Sequence, residues 1–387
     1  MEMTVFYIAF TFGFIAYLTL ETIALNKAIK KIPLRILVNG TRGKSSMVQI
    51  LCKAMNKSGI KTIGKITGNA PLMINPDGTH TLLKRFGPAS IIENIKWLIQ
   101  IARHNPDAAV LECMALQPET QAVLGQRIFK PHYTIITNIF YDHAEVMGTN
   151  LREMAKTIGL SIDQNSHVIV DSDTFGLLQN ADVSLANYSK AIMESEFSAD
   201  LILTNNPKSI VQSQLNLLLT LGERLPIEKE RIHSAMKEYW TYNDKSAVIK
   251  LPKKNISFYN FFSVNDASSI KQLLDYQMAN KPEDTKIIIL FNTRDDRALR
   301  TQNISSLLNK YDQLKEFWLT GPGKWLTKRT LDKKLILYIA AGNKICRWLS
   351  EGFDTPVTII GIGNHKGAEK ILNHLRQLDD KDKKELA

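Results

Sequence analysis

A chain of 387 residues, 44% hydrophobic and 22% charged, is ordinary for a globular protein and long enough for roughly two or three well-buried domains. Its cysteines, Cys52, Cys113 and Cys346, stand far apart without metal-ligand spacing, which argues against a disulfide framework or a zinc site and fits a reducing compartment. The net charge of +11 is spread along the chain without any groove-reading motif, so nucleic acid is not an expected partner; an enzyme at a membrane surface that handles anionic nucleotide and anionic substrate explains the charge more economically.

Residues Met3 to Leu20 carry no formal charge and are rich in Phe, Tyr, Ile and Leu. With Ile23 and Leu25 beyond Glu21, the stretch is long enough to cross a bilayer core of about 30 Å as a helix. A basic leader and a small-residue cleavage site are both missing, which speaks against a cleaved signal peptide. Lys27, Lys30, Lys31 and Arg35 follow the apolar run, so the expected arrangement is a single-pass anchor in the cell membrane, with the remaining chain in the cytoplasm. An amphipathic helix lying on the membrane or packed on a partner is the alternative, and Glu21 is the weak point of the span.

Next comes Val38-Asn39-Gly40-Thr41-Arg42-Gly43-Lys44-Ser45-Ser46, between a short apolar strand (Arg35–Val38) and a run of helical spacing (Met47–Met55). Glycines there let backbone N–H groups and a new helix N-terminus wrap a polyphosphate, with Lys44 on the β/γ-phosphates and the Ser45 hydroxyl on Mg²⁺. The spacing is the shorter G-T-x-G-K-S form, because Val38 stands where the full Walker A pattern needs glycine. A plain Gly-rich turn is the bland reading.

Strands are expected at Arg35–Val38, Lys61–Ile63, Ala108–Glu112, Tyr133–Thr137, His167–Val170 and Leu201–Leu203, with helices at Ser90–Arg103, Leu151–Leu160 and Ile210–Leu221 between them. This alternation predicts a mostly parallel α/β sheet with ligands at the strand C-termini. After the polar stretch Tyr239–Lys254, new strands at Ile256–Phe258, Lys286–Phe291, Glu316–Leu319, Leu335–Ile339 and Thr355–Ile360 predict a second, smaller α/β domain. The expected division is an anchor and basic linker at 1–32, an ATP-binding domain at 33–248, a C-terminal domain at 249–378, and a charged, disordered tail at 379–387.

Polar residues at strand ends are the candidates for chemistry. Glu112 closes an apolar strand on the same edge as the glycine loop, where it serves either to hold Mg²⁺ or merely for solubility. Asn138, Asp142 and His143 follow the Tyr133–Thr137 strand and sit on that same edge. In the second domain, Phe262 to Ser269 opens a helix and reads equally as capping by Ser268 or Ser269. Asn292 to Arg297 is either a solvated turn or a ribose and phosphate contact, and Gly361 to Gly367 is a tight turn or part of a dinucleotide fingerprint.

Taken in this order, the G-T-x-G-K-S loop, the strand-end Glu112, Thr137-Asn138-Ile139-Phe140-Tyr141-Asp142-His143 and the later Asn and Asp loops resemble the Mur ligase superfamily of ATP-dependent amide ligases. The likeness is closer to the ligase subunits of poly-γ-glutamate synthases, through Asn39–Ser46, Gly64–Gly68, Leu111–Ala115, Asp142–Gly148, Asn292–Thr301 and the N-terminal apolar helix. It implies a Mur-ligase-like central P-loop ATPase domain, with a mostly parallel sheet, and a smaller C-terminal α/β domain. It implies ATP and Mg²⁺ as cofactors, and glutamate and a growing poly-γ-glutamate as substrates. Integral-membrane partner subunits of a synthase and export complex are implied as well.

Lys44, Glu112 and His143 are the implied catalytic residues. Gly40, Thr41, Arg42, Gly43, Lys44, Ser45, Ser46, Asn138, Asn265, Asp296 and Arg297 are the implied nucleotide contacts, and Ser45, Glu112 and His143 the metal ligands. No UDP-precursor-gripping domain precedes the loop, and Lys156 does not match the spacing of the carbamylated lysine of several Mur ligases. The implied reaction is stepwise addition of glutamate through its γ-carboxylate by way of an acyl phosphate. A ligase making a short γ-glutamyl peptide, and a membrane-tethered P-loop ATPase driving a partner, are the alternatives.

Overall fold

The structure, a computed structural model, describes residues 2–67, 71–85, 87–191, 208–262, 264, 267–280, 285–295, 298–332 and 336–386. These fall into two compact units: the described residues of Met1–Ser198 and Gln212–Tyr239, and those of Ala199–Val211 and Trp240–Ala387. The helix Lys229–Ala247 carries the chain from the first unit into the second.

In the first unit the strands are β1 (Leu34–Asn39), β2 (Thr62–Ile66), β3 (Leu72–Ile74), β4 (His80–Leu82), β5 (Ala108–Glu112), β6 (Tyr133–Ile136), β7 (His167–Val170) and β8 (Asn187–Lys190). They form an 8-stranded sheet in the order β4-β3-β2-β5-β1-β6-β7-β8. All pairings are parallel except those of the β3 and β4 hairpin. β2 and β5 are buried at every residue, and β1 at every residue after Leu34, because helices cover both faces; this explains their unbroken apolar runs. β1 lies between β5 and β6, so the strand order reverses there and opens a crevice at the strand C-termini. The register sets Val38 opposite Glu112 and Asn39 opposite Ile136, which brings the ends of β1, β5 and β6 level.

The second unit repeats the scheme with β9 (Val248–Leu251), β10 (Ile256–Phe261), β11 (Lys286–Asn292), β12 (Glu316–Thr320), β13 (Ile336–Ile339) and β14 (Val357–Gly363). Its 6-stranded sheet runs β13-β12-β11-β14-β10-β9, parallel apart from β9.

Several expectations change. The hairpin of β3 and β4 is additional; its strands are only three residues long and turn through Asn75-Pro76-Asp77-Gly78, with Gly78 at φ 83°. The expected strand Leu201–Leu203 lies outside the described residues. The charged tail is not disordered up to its end: Glu369–Leu386 is one helix, with Leu375 and Leu378 buried and Lys383 paired to Asp379 at 2.6 Å. The apolar N-terminal helix runs further than an anchor needs, from Glu2 to Lys31. Met3 to Leu20 are exposed, whereas Leu25, Ala28, Ile29 and Ile32 belong to the core that also holds Trp97, Leu98 and Ile101. One helix is therefore both a candidate span and part of the first unit's core.

Candidate active site

β1 ends inside the sheet, and the chain must turn at once to start the helix Lys44–Lys57. Gly40 makes that turn at φ 121°, where a Cβ would lie 2.3 Å from Thr137 Oγ1 and 2.8 Å from the Asn138 carbonyl oxygen, so only glycine fits. Gly43, at φ 77°, precedes the helix, whose N-terminus has no side-chain cap and no acidic residue in its first turn. The first amides of the 14-residue helix thus keep their positive field, the property that binds anions. Lys44 curls back over the loop, donating from Nζ to the carbonyl oxygens of Gly40 at 2.7 Å and Thr41 at 3.2 Å. Desolvation lowers its pKa, while the neighbouring Glu112 opposes the fall.

Glu112 ends β5 and is buried beside the loop. Its Oε1 accepts from Ser45 Oγ at 2.8 Å and its Oε2 from the Thr67 amide at 2.8 Å, so neither oxygen is free to rotate away. A hydroxyl and a carboxylate oxygen in contact form a hard-oxygen pair of the kind Mg²⁺ takes together with phosphate oxygens.

The segment after β6 braces the loop from the other side. Asn138 Oδ1 accepts from Thr41 Oγ1 at 2.8 Å and from the Arg42 amide at 3.0 Å, and its Nδ2 donates to the Arg42 carbonyl at 3.0 Å. Thr137 Oγ1 adds a bond of 2.6 Å to the same carbonyl. Arg42 pairs with Asp142 at 2.9 Å. His143 adopts a left-handed backbone at φ 51°, with ring nitrogens 3.6 Å from the carboxylates of Asp142 and Glu145. Ser46 bonds the Gly43 carbonyl and is met by Gln214 Nε2 at 3.0 Å and by the Tyr239 hydroxyl. Burial pushes Tyr239 up to about 12.

The structure therefore gathers Gly40, Thr41, Arg42, Gly43, Lys44, Ser45, Ser46, Glu112 and Asn138 around one loop. His143 is placed with Asp142 and Glu145, and no set of three or more His, Cys, Asp or Glu side chains suited to a metal occurs among the described residues. Asn265, Asp296 and Arg297 lie outside the described residues. Sequence reasoning missed Asn39, whose Oδ1 accepts from the Gly40 amide at 2.7 Å while its Nδ2 bonds Gln121 and Ser161 at 2.8 Å each. A polar residue closing a buried apolar strand was the available signal; Gln121 and Ser161, far along the chain, carry none.

Residues 38–218 match the family described as the Mur ligase middle domain, and residues 248–378 match the poly-gamma-glutamate synthase CapB C-terminal domain. The fold is shared with FolC of E. coli in complex with ADP, at a TM-score of 0.66 and 12% identity over 93% of either chain. It is likewise shared with the bifunctional folylpolyglutamate synthase/dihydrofolate synthase of Yersinia pestis complexed with AMPPNP and Mn ion, at 0.65 and 12% over 92% of either chain. A doubly wound sheet with a phosphate-type loop at its switch point, followed by a second α/β unit, is the build of an ATP-dependent ligase, and the chain belongs to the Mur ligase superfamily. Within it, the chain is similar to the PGA synthase CapB of Bacillus subtilis, with 26% identity across 91% of this chain and 92% of that protein.

Proposed function

We propose that this chain is the ligase of a poly-γ-glutamate synthase, joining glutamate units through their γ-carboxylates with ATP. In this reading residues 33–248 are the ATP-binding ligase domain and 249–378 the C-terminal domain. The observation that carries it is the contact of Ser45 with Glu112, beside Lys44 and an uncapped helix N-terminus, in a chain similar to CapB over nearly its whole length.

The donor set fits Mg-ATP: a helix N-terminus and a lysine for phosphate, and a hydroxyl with a carboxylate for a hard cation. When bound, Mg-ATP would supply a γ-phosphoryl group to a glutamate γ-carboxylate with release of ADP, and the amine of the next unit would then displace inorganic phosphate to form the amide. In the reading, Lys44 and the loop amides disperse negative charge at the phosphates, and Ser45 with Glu112 hold the cation. Asn138 keeps the loop in its anion-binding shape through its bonds to Thr41 and Arg42. His143 is assigned to the acyl side of the site, while Asn265, Asp296 and Arg297 are assigned as nucleotide contacts of the C-terminal domain. The exposed run Met3 to Leu20 is the proposed membrane anchor, with the catalytic domains in the cytoplasm and integral-membrane subunits as partners.

The test uses full-length protein in native membranes with Mg-ATP, each amino acid added singly, and hydroxylamine as a trap. ADP formation stimulated by glutamate, with a γ-glutamyl hydroxamate recovered, is the expected result. ATP hydrolysis indifferent to every amino acid overturns the reading in favour of an ATPase module.

A further inference from the structure

Lys65 lies on β2 at 2% exposure, beside Trp97 and the apolar core of the first unit. An apolar side chain of similar volume would fill that space without the cost of desolvating an ammonium. What the ammonium adds is direction. Its Nζ donates to Asn94 Oδ1 at 2.7 Å and pairs with Glu93 Oε1 at 3.1 Å.

Each contact begins an arm toward Glu112: the first ends on Glu112 itself, the second on Met114, two residues beyond it. Along the first, Glu93 takes both Nε and Nη2 of Arg85, at 2.9 and 3.0 Å, and Arg85 Nη2 approaches the Thr67 carbonyl at 3.5 Å. Thr67 in turn donates its amide to Glu112 Oε2 at 2.8 Å. Along the second, the fully buried Asn94 is oriented by the ammonium, so that its Nδ2 faces Met114 Sδ at 3.7 Å, on the segment by which the chain leaves Glu112.

We propose that Lys65 is a positioning residue for the phosphate-loop cation site: a buried charge that holds Glu93 and Asn94, and through them both segments flanking Glu112, so that Oε1 stays turned to Ser45. The inference rests on the reading of Ser45 and Glu112 as cation ligands. Groups behind metal ligands commonly set affinity by about 10–100-fold.

The test follows Mn²⁺ binding by electron paramagnetic resonance, with AMPPNP present, in full-length protein and in Lys65→Met, Arg85→Met, Lys65→Met/Glu93→Gln and Glu112→Gln. Hydrogen–deuterium exchange of the peptide containing Thr67, without metal or nucleotide, gives a second readout. Lys65→Met is expected to weaken Mn²⁺ about tenfold and to speed exchange at Thr67, while metal-free AMPPNP binding is unchanged. In Lys65→Met the Glu93 carboxylate keeps Arg85 as its partner; the double variant neutralises that carboxylate as well and is expected to recover no Mn²⁺ affinity. Unchanged Mn²⁺ affinity in Lys65→Met, or its recovery in the double variant, overturns the proposal. Should Lys65→Met fail to fold, the half-buried Arg85 carries the test alone: Arg85→Met must weaken Mn²⁺ and speed exchange at Thr67. If Glu112→Gln binds Mn²⁺ normally, the cation-site reading itself falls; if only that variant loses Mn²⁺, the site stands and the role of Lys65 is refuted.

Discussion

The two edges of the eight-stranded sheet each hold a cation against backbone carbonyls, and the settings are opposite. At the C-terminal edge, Lys44 is the first residue of its helix and bonds the Gly40 and Thr41 carbonyls. There its charge opposes the positive end of the helix dipole. At the N-terminal edge, Arg35 gives Nη1 to the carbonyls of Ile29 and Ile32 at 3.1 and 2.8 Å, and Nε to those of Phe129 and Lys130 at 3.0 and 3.1 Å. It thereby closes the carbonyl ends of the N-terminal helix and of the helical stretch Pro118–Phe129, where a cation is favoured. Charge that agrees with its helices builds the fold; charge that conflicts with them is left for an anion to balance.

The sharpest way to break this comparison is to neutralise the charges of the C-terminal edge in turn. Lys44→Met is expected to reduce ATP turnover by about 10³-fold or more while Tm changes little, because the bonds lost to the Gly40 and Thr41 carbonyls are offset by removing a desolvated charge set against the helix dipole. Glu112→Gln should fall in activity similarly. Steady-state kinetics and a thermal melt on each variant decide it; retained turnover in both removes the loop from the catalytic site.

Next in size is the division of the N-terminal helix. Deleting residues 2–22 takes away the exposed apolar stretch and should leave Tm within about a degree or two. Deleting residues 2–32 also strips Leu25, Ala28, Ile29 and Ile32 from the core. At roughly 1.5–3 kcal/mol for each large apolar side chain, that loss rivals the whole stability of a domain. The longer deletion is therefore expected to be insoluble or unfolded by circular dichroism. Equal melts for the two deletions would show that the last turns of the helix are dispensable.

The site was far more legible in the sequence than this joint. Gly40, Lys44, Glu112 and Asn138 each interrupt or end an apolar run, and a glycine or polar residue at such a place has few structural uses. Leu25, Ala28, Ile29 and Ile32 are spaced as a helical core stripe, yet Lys27, Lys30 and Lys31 between them made the segment look like a basic linker. The tail misled for a different reason: residues 379–386 have no apolar stripe of their own, but they continue a helix anchored before them by the buried Ile371, Leu372, Leu375 and Leu378. Lys65 and Gln121 stayed hidden for another reason: a buried polar group is defined by partners distant in the chain, and no local period announces them.

A smaller effect belongs to Arg35 itself. Arg35→Met leaves the carbonyls of Ile29, Ile32, Phe129 and Lys130 to find other donors, and is expected to lower stability by about 2–4 kcal/mol, with the proposed ATP site intact. Denaturant unfolding measures the loss, and nucleotide affinity should not move. A variant that lost nucleotide affinity at unchanged stability would mean that the two edges do not divide the labour as described.

The smallest expected effect is a pH dependence at the same joint. His132 Nδ1 accepts the Arg35 amide at 3.1 Å, which requires that nitrogen to be unprotonated. Burial, helped by the Arg35 charge, holds the His132 pKa below its ordinary value. Below about pH 6.5 the unfolded chain therefore binds a proton that the folded chain resists, so stability is full above that pH and is lost as pH falls toward the folded-state pKa. His132→Asn keeps an acceptor near Nδ1 and does not titrate. The difference in Tm between the variant and the unmodified chain, followed from pH 8 to pH 5, isolates this group from His167, whose pKa is also lowered by burial. The unmodified chain should lose ground to the variant on acidification, whereas parallel curves would mean that His132 keeps its bond to Arg35 without resisting a proton.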